Sequence, residues 1–547
     1  MRIFSESIFI ALCIFASVAL GADLDGLRPE YIDFLKAETS NSYIASDSTV
    51  DAKYRADGIK PFKVGYLKIP AAELNLEVST VSSQILAEHF FIEGSQQKQI
   101  RFFIHPDSEH LYKPLIEKYG YKGYYNAVAT ASTRTVLSWD PARPDTKPLF
   151  LKLSLAQVQD RLGRIIPGWE VRRSIQITEA ANQDIKENKS NPRKVALIPE
   201  VAGAYVKADQ GMKFYIDATQ GQVAEHGFIL RDASFIEENK GKKIVPMFWL
   251  FSKGTGIEPP IIQLWKKSRY FTNKPNQQNI SFNHFVVEFF FKPFIHQNLP
   301  LMLFQGIVPQ IHGQNVVLVL DPETLKIEKI LHRDVGSMKA DYRLRWLNGL
   351  KTDSLRSELA DKDFGLSWGA EQIEKYHISY LHDWLLQWGY LKDIRSVLPT
   401  YDPSATRQLV YQALKEEIAK QLNSPHKDKS PTDQITEFVN SKKPDLNSAR
   451  INLEGDMLSS EEMRVELLKR TALQQVVSLP HGWREEIEIK FKNDLAQKGY
   501  VVTSYGIIFR SQFIGGQEED LKIAFYENKN IFMKAVSNEF KMCQSLF

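Results

Sequence analysis

The spacing of apolar and polar positions divides this chain into strands and helices. In PLFLKLSLA, residues 148–156, Leu149, Leu151, Leu153 and Leu155 alternate with Phe150, Lys152 and Ser154. A period of two is that of a strand, with the leucines on one face and Lys152 and Ser154 on the other. Further along, VVLVL (316–320) and LKIEKIL (325–331) flank DPET, whose proline occupies the second turn position, so this stretch reads as a hairpin. Continued alternation would point His332 and Asp334 one way and Arg333 the other. RFFI (101–104) is strand-like and leads into His105-Pro106. In TRQLVYQALKEEIAKQL, Tyr411, Leu414, Ile418 and Leu422 recur at helical spacing, with Ser404 as the expected cap and Pro425 beyond the end. The apolar run HFVVEFFFKPFIHQNLPLMLFQGIV (284–308) is broken by Glu288, Lys292 and Pro293 and reads as a buried helix rather than a membrane span.

Polar, breaker-rich segments punctuate these elements. NQDIKENKSNPRK, EENKGKK and NKPNQQN read as loops within a mixed strand and helix region. QLNSPHKDKSPTDQ separates helices in a mostly helical C-terminal third. No fixed repeat period argues for a solenoid. The first residues, MRIFSESIFIALCIFASVALG, combine Arg2, an apolar stretch from Ile8 to Leu20 and small residues at Ala19 and Gly21. They read as a signal peptide over 1–21, implying an exported or periplasmic protein; an uncleaved anchor or a cytoplasmic chain is the alternative. The remaining divisions expected are 22–100, 101–345 and a mostly helical 346–547.

Composition narrows the classes. The 547 residues are 43% hydrophobic and 25% charged, enough apolar material for a substantial core. With 69 Lys and Arg against 66 Asp and Glu, the net charge is only +3, which gives no reason to expect nucleic acid. Cys13 and Cys543 are the only cysteines, so a chain cleaved after residue 21 would hold no internal disulfide.

Three stretches could carry chemistry. In residues 130–164, Thr130, Ser132 and Thr133 precede Arg134, a strand then brings Lys152, and Arg164 follows twelve residues later. Hydroxyls and cations gathered in one place suit an anion with many oxygens, such as a triphosphate. The alternative is a solvated Ser/Thr loop, a lysine reaching outward and a surface arginine. Around the expected hairpin, His312, Gln314 and Asn315 could hydrogen-bond a nucleotide or substrate, and Asp334 at a strand end suits Mg²⁺ beside phosphates; amides closing a turn would look the same. In RFFIHPDSEHLYKP, His105 and His110 lie five apart, a poor metal spacing, so a cationic pocket formed with Lys113 is the better functional reading against a plain surface loop. His332-Arg333-Asp334 and Asp363-Phe364-Gly365 imitate protein-kinase signatures. Lys339 stands where the kinase asparagine belongs, however, and no glycine-rich G-x-G-x-x-G loop precedes them.

Taken in order over residues 101–338, these segments resemble the NRPS-independent siderophore synthetases of the aerobactin-synthetase (IucA/IucC) type. The resemblance is carried by His105-Pro106 with Lys113, Thr130-Ala131-Ser132-Thr133-Arg134-Thr135, Lys152-Leu153-Ser154-Leu155 with Arg164, His312-Gly313-Gln314-Asn315 and Arg333-Asp334. Gln310 stands where that family carries a glutamate. The resemblance implies an α+β fold described as a cupped hand, with a thumb, sheet-containing fingers and a largely helical palm. It implies a ligase that adenylates a polycarboxylate, citrate or a derivative, with ATP and Mg²⁺ and condenses it with an amine or alcohol; a homodimer would be compatible. Thr130, Ser132, Thr133, Lys152 and Arg164 would bind the nucleotide phosphates, and His312, Gln314 and Asn315 the nucleotide or activated carboxylate. His312, Arg164 and Lys152 would be catalytic, His105, Lys113 and Arg333 would face substrate, and Asp334 would hold the metal.

Overall fold

The computed structural model describes residues 24–423, apart from 25, 41–50, 82, 93–97, 160–161, 188–193, 207–214, 218–220, 224–225, 255, 257, 304, 341–349 and 351–375, together with 500–503 and 506–509. The leader, both cysteines, Asp363-Phe364-Gly365 and most of the C-terminal third lie outside the described residues. The fold class is α+β. Two compact units alternate along the chain, one from Met1–Ile175, Ile198–Gln263 and Val317–Leu325, the other from Gln176–Leu197, Leu264–Val316 and Lys326–Phe547.

The first unit is built on a nine-stranded sheet in which every pairing is antiparallel. Its first seven strands are β1 (Pro61–Pro70), β2 (Asn75–Val78), β3 (Phe91–Ile92), β4 (Gln99–Ile104), β5 (Tyr121–Ala129), β6 (Thr135–Trp139) and β7 (Leu149–Leu153). Strands Glu200–Val206 and His226–Asp232 complete it, in the order β2, Glu200–Val206, His226–Asp232, β7, β6, β5, β1, β4, β3. The alternation read in β7 is real, since Leu149, Leu151 and Leu153 join one core with Phe102, Phe103, Val136 and Phe228. The opposite face is buried as well, a point that the alternating pattern does not convey. Phe150 meets Phe34 of helix Pro29–Glu38 edge-on at 5.9 Å and stacks with Phe235, so Lys152 on the same face is enclosed.

Two glycines let these strands approach closely. A Cβ on Gly203 would press against the Val171 side chain and the Phe228 carbonyl, and one on Gly227 would be driven into the Ala204 carbonyl oxygen. The buried Ser154 hydroxyl bridges this region, donating to the Gly227 carbonyl at 2.7 Å and accepting from the Ile166 amide at 3.0 Å.

In the second unit the long apolar run forms helices Pro275–Val286 and Lys292–Leu303, joined by a π-helical turn over Val287–Phe291. Phe282, Val286, Phe290, Phe291, Phe294, Ile295 and Leu299 are buried, while Lys292 pairs with Glu288 at 2.5 Å on the wet side. No helix among the described residues is long and apolar enough to cross a membrane. Helix Pro403–Asn423 buries Val410, Ala413, Leu414 and Ile418 and is tied to the earlier helices by Thr406 on Asn283 and His296 on Glu417.

Three boundaries differ from the sequence expectation. Asp402, not Ser404, caps the helix start, accepting from the Ser404 amide at 3.0 Å, because the helix begins at Pro403 and Ser404 lies inside its first turn. NKPNQQN is helical from Pro275 onward, since Pro275 is well suited to a first helical position. Part of NQDIKENKSNPRK is also helical, because helix Gly168–Lys186 continues into it.

Candidate functional site

In the first unit, β5 and β6 are joined by the turn Thr130–Thr135. The Thr130 amide and hydroxyl both donate to the Thr135 carbonyl, at 2.9 and 2.7 Å, and the Thr133 amide donates to the Thr130 carbonyl at 2.9 Å. Thr133 sits at φ 54°, the left-handed region that a β-branched residue rarely enters. Such backbone costs on the order of 1–3 kcal/mol and persists only where its surroundings hold it. One such restraint comes from afar: Glu38, buried at the end of helix Pro29–Glu38, accepts from the Ala131 amide at 3.0 Å.

Beside this turn, Thr135 pairs in register with Lys152 of β7. Lys152 is 1% exposed, and its ammonium lies 2.7 Å from Glu170 Oε1. Arg134 reaches the same oxygen at 3.4 Å and donates through its other terminal nitrogen to the Arg164 carbonyl at 3.3 Å. Glu170 stands in the first turn of helix Gly168–Lys186, where the helix dipole favours a carboxylate. Thr130, Ser132 and Thr133 thus share one turn whose end pairs with Lys152, while Arg164 meets this group through its main-chain carbonyl. Glu38 and Glu170 were not foreseen. Glu170 follows a proline at a helix start, which is a weak signal; Glu38 has none.

The readings for His105 and Lys113 need correction. His105 is 1% exposed, directly follows β4, accepts from the Asp107 amide at 3.1 Å and meets Tyr54 edge-on at 5.0 Å. Burial, with Lys53 nearby, lowers its pKa to about 3. A neutral, enclosed imidazole offers no charge to a carboxylate. Lys113 has a 74% exposed side chain and pairs with Glu117 on its own helix, so the two residues do not share a pocket.

In the second unit, His312, Gln314, Asn315 and Arg333 form one tight group. Arg333 donates from its amide to the Asn315 carbonyl at 2.9 Å and from Nε to the Gln314 carbonyl at 2.6 Å. His312 accepts from the Gln314 amide through Nδ1 at 3.3 Å and stacks on Trp384, centroids 5.4 Å apart. A neutral His312 thus carries its proton on Nε2. Arg333 is buried and braces the loop, which does not fit the expected substrate contact. Asp334 follows at φ 65°, and its side chain does not cap the short helix Val335–Ser337.

His332, the first residue of the kinase look-alike, is fully buried. Its Nε2 meets Asn298 Oδ1 at 2.6 Å, and Asn298 faces His377 at 3.5 Å. Burial lowers the His332 pKa to about 3, His377 adding to the effect. Trp384, Asn298 and His377 carried no sequence signal. Among the described residues no group of three or more acidic, histidine or cysteine side chains could hold a metal. Mg²⁺ commonly takes one or two carboxylates and completes its shell with phosphate and water, so one carboxylate contributed by Asp334 is compatible with it.

Neither a protein-family model nor a curated protein matches the chain. Among solved structures, ATP-bound aerobactin synthetase IucA from a hypervirulent pathotype of Klebsiella pneumoniae is similar at TM-score 0.49 and 14% identity, over 76% of this chain and 74% of that one. Aerobactin synthetase IucC from the same source gives 0.45 and 14%, over 67% and 64% of the two chains. The petrobactin biosynthesis protein AsbB from Bacillus anthracis gives 0.47 and 17%, over 66% and 62%. Two of these three solved structures are aerobactin synthetases and the third is a petrobactin biosynthesis protein.

Proposed function

We propose that the chain is a siderophore-synthetase-like ligase that adenylates a polycarboxylate, citrate or a derivative, with ATP and condenses it with an amine or hydroxyl. The observation that carries this reading is the turn Thr130–Thr135 with Arg134 and the buried Lys152 beside it. Hydroxyls and two cations at one end of central sheet strands suit a polyphosphate chain. In the reaction, a carboxylate oxygen attacks the α-phosphorus and pyrophosphate leaves; the amine or hydroxyl then displaces AMP from the acyl carbon. Both partners in the first step are anions, so fixed positive charge lowers its barrier by offsetting repulsion. The rest is alignment, and no enzyme nucleophile is needed. His312, its tautomer set by the Gln314 amide, would present an N–H donor to the nucleotide or activated carboxylate. Asp334 would hold Mg²⁺, which neutralises phosphate charge when bound.

Pyrophosphate exchange into ATP, measured across a panel of polycarboxylic acids with Mg²⁺, tests this reading. Acid-dependent exchange is expected; none with any acid, on folded protein, would discard it. Gln310 and the leader-like first residues favour a second reading, an exported homologue that binds a carboxylate or a ferric siderophore without catalysis. Calorimetry detecting acid binding but no nucleotide binding would select that one.

A further inference from the structure

A nucleotide-binding lysine would ordinarily face its ligand, yet Lys152 is 1% exposed and its ammonium is closed against Glu170 at 2.7 Å. Arg134, 11% exposed, converges on the same carboxylate oxygen at 3.4 Å. One oxygen of one glutamate therefore engages both cations flanking the Thr130–Thr135 turn. That oxygen occupies the position that suits a phosphoryl oxygen: between a primary ammonium and a guanidinium, at a helix start, beside a hydroxyl-bearing turn. We propose that Glu170 is a resident counter-ion that holds the polyphosphate site closed, and that a polyphosphate binds by taking Lys152 and Arg134 away from it.

Two features support exchange rather than a permanent structural pair. The contact converges: both cations reach the same Oε1. Glu170 also belongs to the first helical turn, where a freed carboxylate remains stabilised by the backbone amides, so its release is inexpensive. Lys152, by contrast, is set within a central strand between Thr135 and Ile229 and cannot move far. The mobile partner is then Glu170, which lets the incoming anion settle on a fixed lysine. Such competition depresses affinity for bare polyphosphate and makes binding answer to the state of one carboxylate.

This inference rests on the nucleotide-site reading of that turn, but its test does not need catalysis. Inorganic tripolyphosphate, without Mg²⁺, is titrated by calorimetry into the full chain and into Glu170→Gln, which keeps the shape and removes the charge. Binding at least tenfold tighter in E170Q is expected. Equal or weaker binding by a folded variant would overturn the proposal. Glu170→Asp provides a second reading should E170Q fold poorly, because its shorter carboxylate cannot hold the 2.7 Å contact; it too should bind tighter. In the unaltered protein, carbodiimide should join Lys152 to Glu170, as read by peptide mass spectrometry. Saturating tripolyphosphate should suppress this product, and its undiminished yield would overturn the exchange. Tighter tripolyphosphate binding by E170Q without acid-dependent exchange would keep the counter-ion and discard the ligase; the converse would do the opposite.

Discussion

Replacing Lys152 separates its packing role from its charge. In β7 its aliphatic stem is enclosed between Thr135 of β6 and Ile229 of the neighbouring strand, and the residue is 1% exposed. Lys152→Ala empties the volume of the outer methylenes. At about 0.8 kcal/mol for each methylene, plus the cavity left behind, the expected loss is about 2–4 kcal/mol. Arg134 still faces Glu170, so the carboxylate is not stranded without a cation. Lys152→Met keeps most of the volume and removes only the ammonium, so its stability should stay closer to that of the unaltered chain. Its effect on nucleotide chemistry should nonetheless be large. A charge-assisted contact to phosphate contributes about 1.5–3 kcal/mol, or roughly 10- to 150-fold in acid-dependent exchange. The assay pairs urea unfolding with pyrophosphate exchange on both variants. K152M that unfolds with the unaltered midpoint and exchanges within threefold of the unaltered rate would refute the role of the ammonium. K152A as stable as the unaltered chain would refute the enclosure of the stem.

Two further outcomes follow from the same structure. Burial, with Arg143 nearby, lowers the His89 pKa to about 4, and burial lowers His105 and His332 to about 3, against 6.5 in the unfolded chain. The unfolded state therefore takes up protons first, so their contribution is complete above pH 6.5 and declines as pH falls toward about 4 for His89 and about 3 for His105 and His332. The slope is on the order of 1 kcal/mol per pH unit for each histidine, and an unchanged urea midpoint between pH 7 and 5 would contradict it. Gly227→Ala forces a methyl group into the Ala204 carbonyl and disturbs the Ser154 bridge, so a loss of about 1–3 kcal/mol is expected; an unaltered thermal melt would show that the strands have room.

The strands and helices were legible because their signals are local. Period two in residues 149–153 places the leucines on one face whatever surrounds them, although Leu155 starts a separate strand and packs with Tyr54, and Asp321 accepts from the Thr324 amide at 2.8 Å to close the DPET turn as its composition implies. The same locality made the hydroxyl-rich stretch 130–135 readable as a turn beside Lys152. Cap choice was less legible, since Asp402 and Ser404 both suit a helix start and the position of Pro403 decides between them. What lay beyond the sequence was the identity of the groups that meet the buried charges. Glu38 reaches a turn amide across 93 residues, and His105 is enclosed by Tyr54 and Phe62. Periodicity encodes which side of a strand turns inward, but enclosure and neutralisation depend on segments distant in the chain. Lys152 could be assigned to its strand face from the sequence; only the packing of helix Gly168–Lys186 against the sheet decided that a glutamate would hold it.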